Sequence, residues 1–126
     1  MTAEAEEDVV RSLDGLDKLL EHRLRLALCV LMTRSESMSF SRLKKLTGET
    51  DGNLGANLRK LEDVRYIRVK KMHVERKPVS WYKLTAKGRK ALRDHLDALA
   101  DVIRTVADSC VVGHATNLDS PASNFR

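Results

Sequence analysis

Leu54, Leu58 and Leu61 fall at i, i+4 and i+7 within the stretch Thr50–Val64, the spacing that lines one side of a helix. The other side shows Asn53, Ala56, Asn57 and Lys60, with Gly52 and Gly55 nearby. A short, amide-rich face kept free of bulk by glycines suits contact with the edges of DNA bases, because Asn pairs with adenine through both ends of its amide. A packed surface helix would have little use for two Asn residues, which are mediocre helix formers.

The segments on either side narrow the fold. Phe40, Leu43 and Leu46 fit a short amphipathic helix with Ser39 as its N-cap. Thr47-Gly48-Glu49 follows as a turn in which Gly48 can take the positive φ that ends such a helix. Two helices joined by a short turn containing Gly make a helix-turn-helix. Before them, Leu13, Leu16, Leu20, Leu24, Ala27 and Leu31 recur at spacings of three, four, four, three and four, predicting one long helix over 13–34. Ser35–Ser39 is a polar break with room for a very short strand at Met38-Ser39.

After the helix over Thr50–Val64, Tyr66–Met72 alternates, with Ile67 and Val69 on one face and Arg68 and Lys70 on the other. Ser80–Leu84 returns antiparallel with Tyr82 and Leu84 inward, and 73–79 connects the two, with Pro78 in a loop or at a strand edge. Arg76 and Lys77 lie near the tip of this basic hairpin. Thr85 then caps a last helix whose Leu92, Leu96, Leu99, Ile103 and Val106 again repeat at fours and threes. A small three-helix core has little room for both Leu stripes. Leu13, Leu16, Leu20, Leu92, Leu96, Leu99, Ile103 and Val106 are therefore expected at a homodimer interface.

Composition sets the class. Residues 36–90 hold fifteen Lys/Arg against six Asp/Glu, a net of +9, while the segments before and after carry −2 each. Such a concentrated charge suits a polyanion. No apolar run approaches the ~20 residues that span a bilayer, and the acidic N-terminus lacks a signal peptide's positive start. The expectation is a soluble, cytoplasmic protein with no membrane partner. Residues 1–12 read as a flexible acidic lead, 13–112 as the folded domain, and 113–126, which show no period, as a disordered tail.

Three pieces in order carry a family resemblance: Thr50-Asp51-Gly52-Asn53-Leu54; Leu58-x-x-Leu61-Glu62 followed by Tyr66-Ile67; and Trp81-Tyr82-x-Leu84-Thr85-x-x-Gly88. Over about residues 14–107 the chain resembles the MarR-related winged helix-turn-helix transcriptional regulators. The resemblance implies a mainly α fold with a small β-hairpin: a three-helix core, a wing and a long C-terminal dimerisation helix. It implies a homodimer on a pseudo-palindromic operator in double-stranded DNA, acting as a regulator and more often as a repressor. It places Asp51, Asn53, Asn57 and Lys60 at the major groove, Arg42, Lys44, Lys45 and Thr50 near phosphates, and Arg76 and Lys77 at the wing. It also leaves room for a small-molecule effector between the dimer helices and the module. One position departs from the family pattern: Arg65 stands where these proteins usually have Gly, which ends the reading helix in a left-handed conformation.

Two other readings stay open on the sequence: a non-specific nucleic-acid-coating protein, and a winged helix used for protein contacts. Asp51 either caps the helix or accepts from cytosine N4. No phosphate loop, metal motif or paired nucleophile and base appears, so an enzyme and a cofactor are not expected. His22, His73, His95 and His114 do not cluster. Cys29 and Cys110 match no metal or redox spacing and read as small hydrophobes, a redox-sensing thiol being the alternative.

Overall fold

The computed structural model describes residues 3–124, with side-chain surroundings for residues 3–107. In chain order α1 spans Ala3–Asp14, a 3₁₀ turn Lys18–Glu21, α2 Arg23–Met32, β1 Met38–Ser39, α3 Phe40–Thr47 and α4 Asp51–Asp63. Strands β2, Ile67–Val74, and β3, Lys77–Leu84, follow, and α5 runs Ala86–Asn124. Residues 17–95 form one compact unit; α1 and α5 from Leu96 onward belong to another.

In the 17–95 unit the core is aliphatic, as a chain with 4% aromatics requires. Leu24, Leu28 and Met32 of α2 meet Leu43 of α3, Leu54, Leu58 and Leu61 of α4, Ile67 and Leu84 of the sheet, and Leu92 of α5. Each Leu buried this way contributes roughly 1.5–3 kcal/mol. Gly48 ends α3 with φ 71°, and its N–H bonds the Lys44 carbonyl. The expected three-helix core, short strand and hairpin are all present.

The sheet is antiparallel in the order β1-β3-β2. Its hairpin is longer than the alternation suggested. Strands β2 and β3 pair continuously from Ile67↔Leu84 to Val74↔Lys77. The connection is therefore the two residues Glu75-Arg76, both at positive φ (52° and 68°), as a tight hairpin turn demands. Pro78 sits inside β3 opposite His73. Counting from the hydrogen-bonded closing pair Val74–Lys77, Pro78 falls at a non-bonded position, so its missing N–H faces away from β2. On that side β1 pairs only with Trp81 and Tyr82, so no ladder bond is lost.

The end of α4 resolves the Arg65 departure. Tyr66 N–H bonds the Leu61 carbonyl and Arg65 N–H the Glu62 carbonyl, both at 2.9 Å, and Arg65 has φ 64°. Those two bonds are the Schellman termination with a non-glycine residue in its left-handed position. Arg65 takes the strain.

The N-terminal side holds more than one helical segment. Residues Ala3–Asp14 form α1, where Glu4 and Glu6 in the first turn and Arg11 in the last complement the helix dipole. The expected helix over 13–34 is broken by Gly15 and the 3₁₀ turn. Asp17 caps that turn by accepting from Leu19 N–H at 2.8 Å, and His22 Nδ1 caps α2 by accepting from Leu24 N–H. At the other end α5 runs from Ala86 to Asn124 without a break in its backbone. Residues 125 and 126 of the expected tail lie outside the described residues.

Candidate nucleic-acid interface

The start of α4 is exposed and tightly organised. Thr50 is its N-cap, with Oγ1 accepting from Asn53 N–H at 3.2 Å, so Asp51 does not cap. Asp51 instead forms an ion pair with Lys44 of α3 at 2.7 Å. Being exposed, this pair adds at most ~1 kcal/mol as it bridges the two helices across the Gly48 turn. Asn53 is exposed and donates from Nδ2 to Glu49 Oε1 at 2.6 Å. Arg42, Lys45 and Lys60 are exposed, and among the described residues no carboxylate pairs with them.

Asn57 does not belong to that outer face. It is 4% exposed, so the expected place at the major groove is corrected. Its Nδ2 donates to Asn53 O at 2.8 Å and to Asn53 Oδ1 at 3.1 Å, while its Oδ1 accepts from Arg25 Nη1 at 2.7 Å. Arg25 in turn donates from Nε to the Leu19 carbonyl at 2.7 Å. Leu54, Asn57, Leu58 and Leu61 fit i, i+3, i+4, i+7, so the spacing put Asn57 on the inner side and its polarity concealed this.

The hairpin carries more cations than the tip alone suggested. Arg76 is in the turn, and Lys77 opens β3 opposite Val74. Arg68 and Lys83 face each other directly across the strands, Lys70 lies two residues along β2, and all three are exposed. Like charges opposite one another are destabilising, and here no described carboxylate lies within ion-pair reach of Arg68 or Lys83. A bound polyanion removes that cost. The alternation of Arg68 and Lys70 was the signal for this face; Lys83 emerges only from the register.

Other candidates resolve differently. Cys29 is fully buried, and its thiol is pushed up to about 12, first by burial and then by the charge of Asp17. An inert packed thiol follows, not a sensor. Cys110 and His114 lie beyond the residues whose side chains are described. His95 is 2% exposed, and its Nδ1 accepts from Asp17 N–H at 2.9 Å. Asp17 also accepts from the Tyr66 hydroxyl, and Tyr66 is pushed up to about 12 by burial first and by that bond and charge next. Among the described residues no three His, Cys, Asp or Glu side chains gather as a metal site would.

Of the residues expected between subunits, Leu20 and Leu92 are buried at 0% and 4% exposure in the core of the 17–95 unit, so they cannot also face a partner. The 3₁₀ turn rotates Leu20 inward out of the stripe. Leu16 and Leu99 are half-buried, and Leu13, Leu96, Ile103 and Val106 are exposed.

Two helices meeting at a glycine turn, the second presenting a capped polar start, with a basic two-stranded hairpin behind it, define a winged helix-turn-helix module. The chain belongs to the winged helix DNA-binding domain family, whose model matches residues 24–103. That is a family of DNA-binding domains and not of enzymes. Over 89 residues, 71% of this chain and 97% of the relative, it is 27% identical to an uncharacterised protein of Methanocaldococcus jannaschii. Among solved structures it is similar to a transcriptional regulator homologue of Pyrococcus horikoshii, with TM-score 0.70 and 23% identity over 79% of this chain and 97% of that one. It is similar also to a MarR family transcriptional regulator of Streptomyces coelicolor solved in complex with DNA, with TM-score 0.59 and 22% identity over 86% and 80%. At these identities the likeness is one of fold, and the fold is the MarR-like one.

Proposed function

We propose that this protein is a homodimeric transcriptional regulator, acting as a repressor, that binds a pseudo-palindromic operator in double-stranded DNA. The observation that carries this reading is the combination, in one unit, of an exposed polar start of α4 and a hairpin whose opposed cations have no carboxylate in ion-pair reach among the described residues. In this reading Asn53 and Lys60 meet base edges in the major groove, and Arg42, Lys45 and Thr50 lie along phosphates. Lys44 joins them only by giving up part of its bond to Asp51. Arg76 and Lys77 reach the adjacent minor groove, where a narrow groove concentrates negative potential.

Support for the dimer comes from apolar side chains left in water: Leu96, Ile103 and Val106 of α5 at 42%, 66% and 56% exposure, and Leu13 at 46%. Three of them continue an a/d spacing along one helix, the pattern a second helix covers. A two-fold dimer sets half-sites about one helical turn apart, ~34–36 Å. An effector has a place of suitable size in a groove of about 650 Å³ whose lining includes Leu24, Ala27, Leu31, Glu49 and Asn53.

Genomic-fragment binding followed by footprinting tests the reading. The expected result is protection of a short inverted repeat, with affinity at least ~10³ above non-specific binding. Uniform coating of every fragment refutes it in favour of an architectural protein. No binding at all points to a winged helix that contacts other proteins.

A further inference from the structure

Between the interior of the 17–95 unit and the exposed start of α4 runs an unbroken line of hydrogen bonds. Arg25 donates to Asn57 Oδ1 at 2.7 Å, Asn57 Nδ2 donates to Asn53 O and Oδ1 at 2.8 and 3.1 Å, and Asn53 Nδ2 donates to Glu49 Oε1 at 2.6 Å. The chemistry of the two ends gives this line one direction. A guanidinium can only donate, and a carboxylate only accepts. An amide placed between them has a single orientation that makes both bonds; flipping it sets donor against donor and acceptor against acceptor. Asn57 is fixed by Arg25 on one side and by the Asn53 main-chain carbonyl on the other. Asn53 is fixed by Asn57 and Glu49.

We infer that Arg25, Asn57 and Glu49 are positioning residues that hold the Asn53 amide in one orientation, so that it reads an A·T pair in one direction only. The inference rests on the proposed contact of Asn53 with DNA. An Asn amide has two donors and two acceptor positions. The bonds to Glu49 and Asn57 occupy one of each, which leaves one donor and one acceptor for adenine N7 and N6, the pairing Asn makes in the major groove. A freely rotating amide presents donor and acceptor in either order and accepts the adenine on either strand. A locked amide does not. Arg25 and Asn57 thus set specificity without touching DNA, and the pair Glu49–Asn53 supplies the reason an acid stands at the edge of a basic surface. The bond to Glu49 is charge-assisted and shorter than the one from Asn57, so it is the stronger of the two anchors.

Selection of bound sites from a random duplex pool gives the base preference at every position of the site. Asn53→Ala identifies the position that Asn53 reads, as the one whose preference collapses. There the wild-type protein should separate A·T from T·A by about 5- to 150-fold, the range a good bidentate contact provides. Glu49→Ala, which removes the acceptor, and, separately, Asn57→Leu should each lower that ratio by about threefold or more, at that position alone, leaving the rest of the site unchanged. The uniform gain in affinity from removing the Glu49 charge cancels in the ratio. Glu49 is outside the core, so its variant keeps the test valid even where Asn57→Leu melts early. If Asn53→Ala flattens one position and Glu49→Ala leaves that position's A·T to T·A ratio intact, the inference is overturned and the DNA-reading role of Asn53 stands. If Asn53→Ala alters no position, that role itself fails, and the inference with it.

Discussion

Replacing Gly88 by Ala should unseat the junction where α4, β2 and α5 meet. A Cβ at position 88 would overlap the carbonyl oxygen of Tyr66, and would lie 2.8 Å from its carbonyl carbon and 2.9 Å from Leu84 Cδ1. Backbone cannot yield as a flexible side chain can. That same Tyr66 carbonyl accepts from Thr85 N–H at 3.0 Å and shares the Thr85 hydroxyl proton, at 3.1 Å, with the Arg65 carbonyl at 2.6 Å, while Thr85 Oγ1 accepts from Gly88 N–H at 3.0 Å. Moving the carbonyl away breaks about two of these bonds, at ~1 kcal/mol each. Overpacking adds ~1–3 kcal/mol. The better helix propensity of Ala returns ~1 kcal/mol. The net loss is ~2–4 kcal/mol, which for a domain of this length lowers Tm by roughly 8–16 °C. Gly52→Ala is the internal control. Its Cβ meets nothing within 4 Å, so only the propensity effect acts, and Tm should rise by a few degrees. Thermal unfolding followed by circular dichroism measures both. If Gly88→Ala changes Tm by less than the Gly52 control, or raises it, the close approach to Tyr66 is not what the Leu-Thr-x-x-Gly sequence preserves.

Arg65→Gly should stabilise by about 1 kcal/mol in urea unfolding, because glycine enters the left-handed position without strain; a loss of stability would mean that the Arg65 side chain contributes more than its backbone costs. Stability should fall as pH rises from about 9 toward 12. Over that range the Cys29 thiol and the Tyr66 hydroxyl, both raised to about 12, keep their protons in the folded chain while the unfolded chain loses them, and Cys29→Ala should make the fall shallower. Arg76→Ala with Lys77→Ala should lower the log–log salt slope of DNA binding by about two; an unchanged slope removes the hairpin from the interface.

What the sequence revealed follows from how local each cause is. Capping by Ser39, Thr50 and Thr85 and termination at Gly48 depend on neighbours within four residues, and all four are visible as letters in the right places. The break at Gly15–His22 was hidden because Leu13, Leu16, Leu20 and Leu24 keep helical spacing straight across it. The turn exists because Asp17 binds partners 49 and 78 residues away, the Tyr66 hydroxyl and His95. The hairpin turn was hidden for the opposite reason. Glu75-Arg76 has none of the usual turn residues, and Pro78 drew the loop boundary too early. Asn57 is the instructive case for the site. Its position in the Leu54–Leu61 repeat was legible, but the guanidinium that makes its burial tolerable comes from Arg25, 32 residues earlier.

These long-range ties all converge on one helix. The start of α4 is held by the Thr50 cap and the Lys44–Asp51 ion pair, and its inner side by three leucines and by Arg25 through Asn57. Its end is held by the bonds around Arg65 and by Tyr66, whose hydroxyl is anchored on Asp17. A side chain that must be ordered on binding costs about 0.5–1.5 kcal/mol at that moment. Asn53 is already ordered in the free protein by Glu49 and Asn57, so most of that cost is met on folding. The strain at Arg65 fits the same logic, since a Schellman end fixes the direction in which β2 leaves α4. The stability lost at Arg65, and by burying an amide among leucines, thus goes into the rigidity of the segment that would select among base pairs.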